Sequence, residues 1–177
     1  MDQVPTSWLW IGFFCALVPA IGLSFLFGRL DRRKIKIPPH YGIVDFELAG
    51  NVDRARAILQ SWRDIGWPVR ANLALDMAFI PFYSAALFFG GLLAGRALPS
   101  ILGILGPYVA ASQLLAGVFD YGENAGLLLT VSDFSREPSA MRARLPQAAA
   151  WCARMKFRLI TLGLIYAALG GIVALVA

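Results

Sequence analysis

The sequence predicts an all-α integral membrane protein: a four-helix bundle with a cytoplasmic amphipathic helix between spans one and two. Three observations predict this fold. The chain has 177 residues, of which 58% are hydrophobic, and this is too apolar for a soluble domain of that size. Four apolar runs reach about 20 residues, the length that crosses a bilayer. Of the 16 Lys and Arg residues, all but Arg96 lie in two stretches between those runs.

The predicted spans are approximately residues 8–28, 72–95, 101–131 and 157–177. The cytoplasmic loops are approximately residues 29–71 and 132–156. Because little chain remains outside them, one membrane domain is expected to cover residues 1–177. Gly106 and Pro107 predict a break in span three, and Pro146 predicts an interrupted helix in the second loop.

Small residues four positions apart predict close helix packing in three spans. They are Gly12, Ala16, Ala20, Ser24 and Gly28 in span one, Gly91 and Gly95 in span two, and Gly163, Ala167 and Gly171 in span four. Such stripes serve either packing within the chain or contact with a protein partner or a second copy.

The first loop contains a predicted helix at about residues 52–65. Asn51 is placed to cap it. Apolar residues recur at helical spacing at Ala55, Ile58, Leu59 and Trp62, with basic residues on the other faces. This amphipathic pattern predicts a helix that lies on the membrane surface.

The basic residues predict the orientation, because Lys and Arg in short loops stay on the cytoplasmic side. Both long loops are therefore expected in the cytoplasm, and both termini on the other side of the membrane. The net charge of +5 follows from this topology, and no nucleic acid partner is expected. Membrane lipids are the expected partners, with a protein partner or homo-oligomer as a further possibility.

Cysteine and histidine usage predicts neither a metal site nor a cofactor. Cys15 and Cys152 lie at different depths of the predicted topology, which argues against a disulfide. His40 is the single histidine, so a His-rich zinc site or a haem held by two histidines of one chain is not expected.

Three acidic residues inside the spans are the candidate catalytic residues: Asp76, Asp120 and Glu123. An ionisable group in a span costs about 3 kcal/mol on insertion scales, so such residues usually have a role. Span two enters from the predicted cytoplasmic side and span three returns to it. All three carboxylates are therefore expected at one depth, in the cytoplasmic half.

Other polar residues extend this candidate site. Asn72 precedes Asp76 by four residues and Asn124 follows Asp120 by four, so each pair shares a helix face. The predicted ligand-binding or network residues are Asn72, Tyr83, Tyr121, Asn124, Arg154 and Arg158. If residues 127–131 also lie in lipid, Asp120 is about 16 Å deep.

Three functions fit this pattern, and the sequence leaves open whether the protein is an enzyme. The leading hypothesis is a non-enzymatic accessory or assembly protein, in which the carboxylates pair with Arg158 and its neighbours as a structural network. The second is a lipid-phase enzyme or small-ligand-binding protein that uses the intramembrane acids for proton transfer or cation binding. The third is a small proton-coupled transporter.

Three stretches carry a resemblance to a known group of proteins. They are Phe46-Glu-Leu-Ala-Gly-Asn-Val-Asp-Arg-Ala, Leu75-Asp-Met-Ala-Phe-Ile-Pro-Phe-Tyr and Phe119-Asp-Tyr-Gly-Glu-Asn. On these motifs the chain resembles a group of small uncharacterised bacterial four-span membrane proteins, and the resemblance covers most of the chain. It implies four spans and brings no activity with it.

Overall fold

A computed structural model describes residues 4–32, 41–64 and 68–176 of the chain. It is about 90% helical, and the described residues include no strand. The helices are α1 (Thr6–Arg32), α2 (Ile43–Glu47), α3 (Val52–Asp64), α4 (Val69–Ala97), α5 (Ser100–Ile104), α6 (Gly106–Arg136) and α7 (Arg144–Val176), with a 3₁₀ turn at Pro138–Ala140. The predicted all-α four-helix bundle is confirmed.

Four helices, α1, α4, α6 and α7, are long and apolar enough to cross a membrane. The predicted break in span three is present, because α5 ends at Ile104 and α6 begins at Gly106. Most of the predicted cytoplasmic segment 132–156 is helical, since α6 continues to Arg136 and α7 begins at Arg144. Pro146 does not interrupt a helix, because it lies in the first turn of α7, where its missing N–H leaves no bond unmade.

The described helices divide into two compact units. The first unit comprises Met1–Gly22, Phe79–Val118 and Lys156–Ala177. The second comprises Leu23–Ala78 and Phe119–Met155. The basic stretch 33–40 with His40, and residues 65–67 at the predicted end of the loop helix, lie outside the described residues.

In the first unit, glycines allow close helix contacts. A Cβ on Gly95 would lie 2.8 Å from the Cα of Gly106, and one on Gly91 would lie 3.1 Å from the Cα of Ala110. The predicted close packing at Gly91 and Gly95 is therefore confirmed, and it joins α4 to α6. Only a residue without a side chain fits such an approach.

The stripes on α1 and α7 are partly used inside the chain. A Cβ on Gly12 would lie 2.6 Å from the Phe89 ring, so this face of α1 packs within the protein. On α7 a Cβ on Gly163 of the predicted stripe would lie 2.4 Å from the Gln113 side chain, whereas Gly171 of the same stripe has nothing within 4 Å. Its neighbour Gly170, which lies outside the stripe, is packed instead, because a Cβ there would lie 2.5 Å from the Ala94 Cβ. Spacing alone located the stripe, and the rotation of α7 decided which glycine is packed.

In the second unit, α2 and α3 cover the ends of the long helices. One core contains Phe46, Ala55, Ile58, Leu59, Trp62, Leu73, Leu127, Val131, Phe134, Met141 and Ala149. Asn51 caps α3 as predicted, because its Oδ1 accepts a hydrogen bond from the Arg54 backbone N–H at 2.8 Å. The apolar side chains of α3 are thus buried in protein, and the position of α3 on the membrane surface stays a prediction.

The helix α6 has 31 residues and extends about 46 Å at 1.5 Å per residue, which is longer than the hydrocarbon core of a bilayer, about 30 Å thick. Its Leu127 and Val131 belong to the core that α2 and α3 form in the second unit. The depth of Asp120 stays a prediction.

Candidate functional site

One hydrogen bond joins two of the predicted site residues in the second unit. The Asn124 side-chain Nδ2 on α6 donates to the Asp76 Oδ2 on α4 at 2.7 Å. Asn124 is 1% exposed, and Asp76 is half-buried. This distance lies within the normal range for an N–H···O hydrogen bond. The predicted meeting of α4 and α6 at this level is therefore present for these two residues.

The two asparagines of the site keep unused hydrogen-bonding capacity. Within the described residues, the Asn72 Nδ2 and the Asn124 Oδ1 have no hydrogen-bond partner. Asn72 is 3% exposed and lies one turn before Asp76 on α4. A buried polar group left without a partner costs about 1–3 kcal/mol. The site thus has both a donor and an acceptor to offer to a further molecule.

The other two predicted acids, Asp120 and Glu123, are both buried in α6, with 3% and 0% of their surface exposed. Each takes part in an interaction within the protein. In the described part of the chain, no group of three or more His, Cys, Asp or Glu side chains could hold a metal ion. The three acids therefore do not form a three-carboxylate metal centre.

Tyr121 makes a second link between α6 and α4. Its hydroxyl donates to the Met77 backbone carbonyl at 3.3 Å. In a regular helix that carbonyl would accept from the N–H four residues later, but this position is Pro81, which has no N–H. Tyr121 therefore supplies a donor to a carbonyl that α4 itself leaves without one.

The remaining predicted residues have other surroundings. Tyr83 belongs to the core of the first unit, with Ala20 and Ile80. Arg154 and Arg158 are exposed on α7, and the ion pairs of the described residues involve neither of them. The predicted pairing of the acids with Arg158 and its neighbours stays a prediction.

Two further polar residues are buried, Lys156 on α7 and Gln113 on α6, and the sequence reasoning missed Gln113. Lys156 is 5% exposed. Helical periodicity separates it from Arg154 and Arg158, which share a face with each other, but only packing decides which face turns inward. Gln113 is fully buried, and its Nε2 donates to the Leu159 carbonyl on α7 at 3.0 Å. The sequence signal that could have identified Gln113 is the presence of an amide side chain in the middle of an apolar span.

Gln113 fits only because Gly163 faces it, since a Cβ at that glycine would lie 2.4 Å from the amide carbon.

At the other end of α6, the Arg142 Nε donates to the Asp133 Oδ2 at 2.9 Å. This hydrogen bond raises the pKa of the Arg142 guanidinium above its usual value. The pair fixes the turn between α6 and α7.

These features define a class: an all-α four-helix protein with four helices able to span a membrane and with buried carboxylates. No protein-family model matches the chain, and neither a curated protein nor a solved structure matches it. The resemblance to small bacterial four-span membrane proteins stays a prediction.

Proposed function

We propose that this protein is a multi-pass membrane protein with an accessory or assembly role, in which the intramembrane polar residues hold the helices together. The observation that carries this proposal is the bond from Asn124 Nδ2 to Asp76 Oδ2 at 2.7 Å, which joins α6 to α4. Tyr121 makes a second bond between the same helices, and Gln113 joins α6 to α7. Polar contacts of this kind determine which helices pair, because within lipid the hydrophobic effect does not drive helices together.

The proposed location is the inner membrane of a bacterium, with both termini outside and the regions around α3 and Arg142 in the cytoplasm. The support is the basic residues, which favour the cytoplasmic side. Single cysteines at Thr6 and at Ser139, in a chain with Cys15 and Cys152 replaced by Ala, test this proposal. A membrane-impermeant maleimide should label the first cysteine in intact cells and the second only after the cells are opened.

The proposed partner is a protein or a second copy of this chain. Gly28 of α1 and Gly171 of α7 have nothing within 4 Å of a Cβ position, so these small residues stay open to another helix. Cross-linking in native membranes tests this point. A Gly171→Leu variant should lose a cross-linked species that a Gly22→Leu variant keeps, since Gly22 is equally open but lies outside the stripes. Equal loss in both variants would contradict a specific contact.

The structural role of Asp76 predicts a graded effect on stability. Asp76→Asn keeps an oxygen acceptor for Asn124, whereas Asp76→Leu removes it and leaves the Asn124 amide without this partner. We expect Asp76→Leu to lower the free energy of unfolding in detergent by about 1–3 kcal/mol and Asp76→Asn by less than half of that. A more stable Asp76→Leu protein would contradict the proposal, because residues that serve a functional site often cost stability.

A second candidate function is supported by one specific observation: the unused Asn72 Nδ2 and Asn124 Oδ1 beside Asp76. These groups suit a small polar ligand, or the head group of a lipid, that both accepts and donates a hydrogen bond. Native mass spectrometry of the wild type, Asn72→Leu and Asp120→Asn tests this alternative. A copurifying small molecule lost from both variants favours a ligand site or an enzyme, and its absence from all three proteins favours the structural role.

A further inference from the structure

A cleft in the second unit, with a volume of about 660 Å³, lies among α3, the first turn of α4, the end of α6 and the 3₁₀ turn. It carries a concentrated positive charge. Arg63, Arg70 and Arg136 all line it, and no Asp or Glu is among its described lining residues. All three arginines are exposed.

Asp133, which does not line the cleft, attracts the Arg136 guanidinium, but its carboxylate is hydrogen-bonded to Arg142. The charge of the residues that line the cleft is therefore positive. Arg70 donates to the Ser135 hydroxyl at 3.3 Å, which orients its guanidinium without cancelling its charge. The ion pairs of the described residues involve other arginines. Guanidinium groups in this arrangement suit a phosphate, which can accept two parallel hydrogen bonds from one arginine.

The floor of the cleft is apolar. Leu59, Val131 and Phe134 line it and belong to the buried core of the second unit. A cleft that has cationic groups at its edge and apolar side chains inside suits an amphiphilic ligand. A free phosphate would leave these apolar side chains in contact with water. Charge complementarity and apolar lining thus favour a lipid over a soluble anion.

We propose that this cleft binds the phosphate of an anionic phospholipid. The inference rests on the proposed membrane location, which puts the start of α4 and the end of α6 near the cytoplasmic head groups. Anionic lipids are concentrated at that surface, and each nearby Lys or Arg strengthens the attraction. The site is distinct from the Asp76 region, since its lining includes none of the polar residues described there: Asn72, Asp76, Asp120, Tyr121, Glu123 and Asn124.

The test uses the full chain in detergent, titrated with dioleoylphosphatidylglycerol, with dioleoylphosphatidylcholine or with inorganic phosphate, and followed by native mass spectrometry and melting temperature. The test variant is Arg63→Gln/Arg136→Gln, which spares the Arg70 bond to Ser135. The matched control is Arg29→Gln/Arg144→Gln, which removes the same charge from exposed residues that do not line the cleft.

The wild type and the control should bind phosphatidylglycerol, and the test variant should bind it about 30-fold more weakly, as expected for losing two guanidinium contacts. Phosphatidylcholine should bind weakly to all three. Equal binding by the test variant overturns the proposal, and so does an equal loss in the control. Inorganic phosphate could also raise the melting temperature in a saturable way. If phosphatidylglycerol raises it no further than phosphate does, the cleft binds a soluble phosphate and the lipid assignment is overturned. The Asp76 stability series gives its result independently, so a failure here is distinguishable from a failure of the proposed function.

Discussion

The Tyr121 hydroxyl donates to the Met77 carbonyl at 3.3 Å, the same carbonyl that Pro81 leaves without its helical donor. A proline inside a spanning helix is tolerated when neighbouring side chains satisfy the freed backbone group. The role of Tyr121 on α6 therefore depends on Pro81 on α4, although the sequence around neither residue suggests this by itself.

This dependence predicts a coupled effect on stability. Tyr121→Phe should lower the free energy of unfolding in detergent by about 0.5 kcal/mol. In a Pro81→Ala background the same change should have almost no effect, because the new backbone N–H satisfies the Met77 carbonyl. Tyr108→Phe is the matched control, since Tyr108 is 72% exposed. Equal losses from Tyr121→Phe in the two backgrounds would show that the contribution of Tyr121 does not depend on Pro81.

Neighbouring glycines on α7 should respond differently to the same substitution. Gly170→Ala places a methyl group 2.5 Å from the Ala94 Cβ, so the helices must separate at a cost of about 1–3 kcal/mol. Gly171→Ala meets nothing within 4 Å and should be neutral or stabilising, because alanine favours helices. Melting temperatures in one detergent give the comparison, and indistinguishable variants would contradict the assigned packing of α7.

Gln113 should contribute to the joining of α6 and α7. Gln113→Leu removes the donor to the Leu159 carbonyl and also brings a branched side chain against Gly163. We expect a loss of about 0.6 kcal/mol from the missing hydrogen bond, with any strain adding to it. Gln113→Glu keeps an acceptor but no amide donor and serves as the comparison. A leucine variant at least as stable as the wild type would refute a contribution from this bond.

The Asn51 cap predicts a local effect in the second unit. Asn51→Ala removes the acceptor of the Arg54 N–H and should lower the stability of α3 by about 1 kcal/mol. Hydrogen exchange should accelerate in the first turn of α3, whereas the segment Gly106–Ser112 of α6 should keep its protection. Unchanged exchange around Arg54 would mean that the cap does not stabilise the helix.

The composition and spacing of the chain predicted much of this fold. Apolar runs of spanning length identified the four long helices, Gly106 and Pro107 identified the break before α6, and Asn51 identified the start of α3. These features are local, since each depends on a few neighbouring residues and on their intrinsic preferences. The approximate level at which Asp76 and Asn124 meet also followed from counting residues along two helices.

Rotation and partner choice were decided only by tertiary packing. The sequence does not determine that Gly170 packs and Gly171 stays open, that Lys156 turns inward while Arg158 stays exposed, or that α3 buries its apolar face in protein. Each outcome depends on the rotation of a helix about its own axis relative to its neighbours. Apolarity does not reveal this rotation, because an apolar side chain can pack against either lipid or protein. Periodicity thus determined which residues share a face, and packing determined what each face contacts.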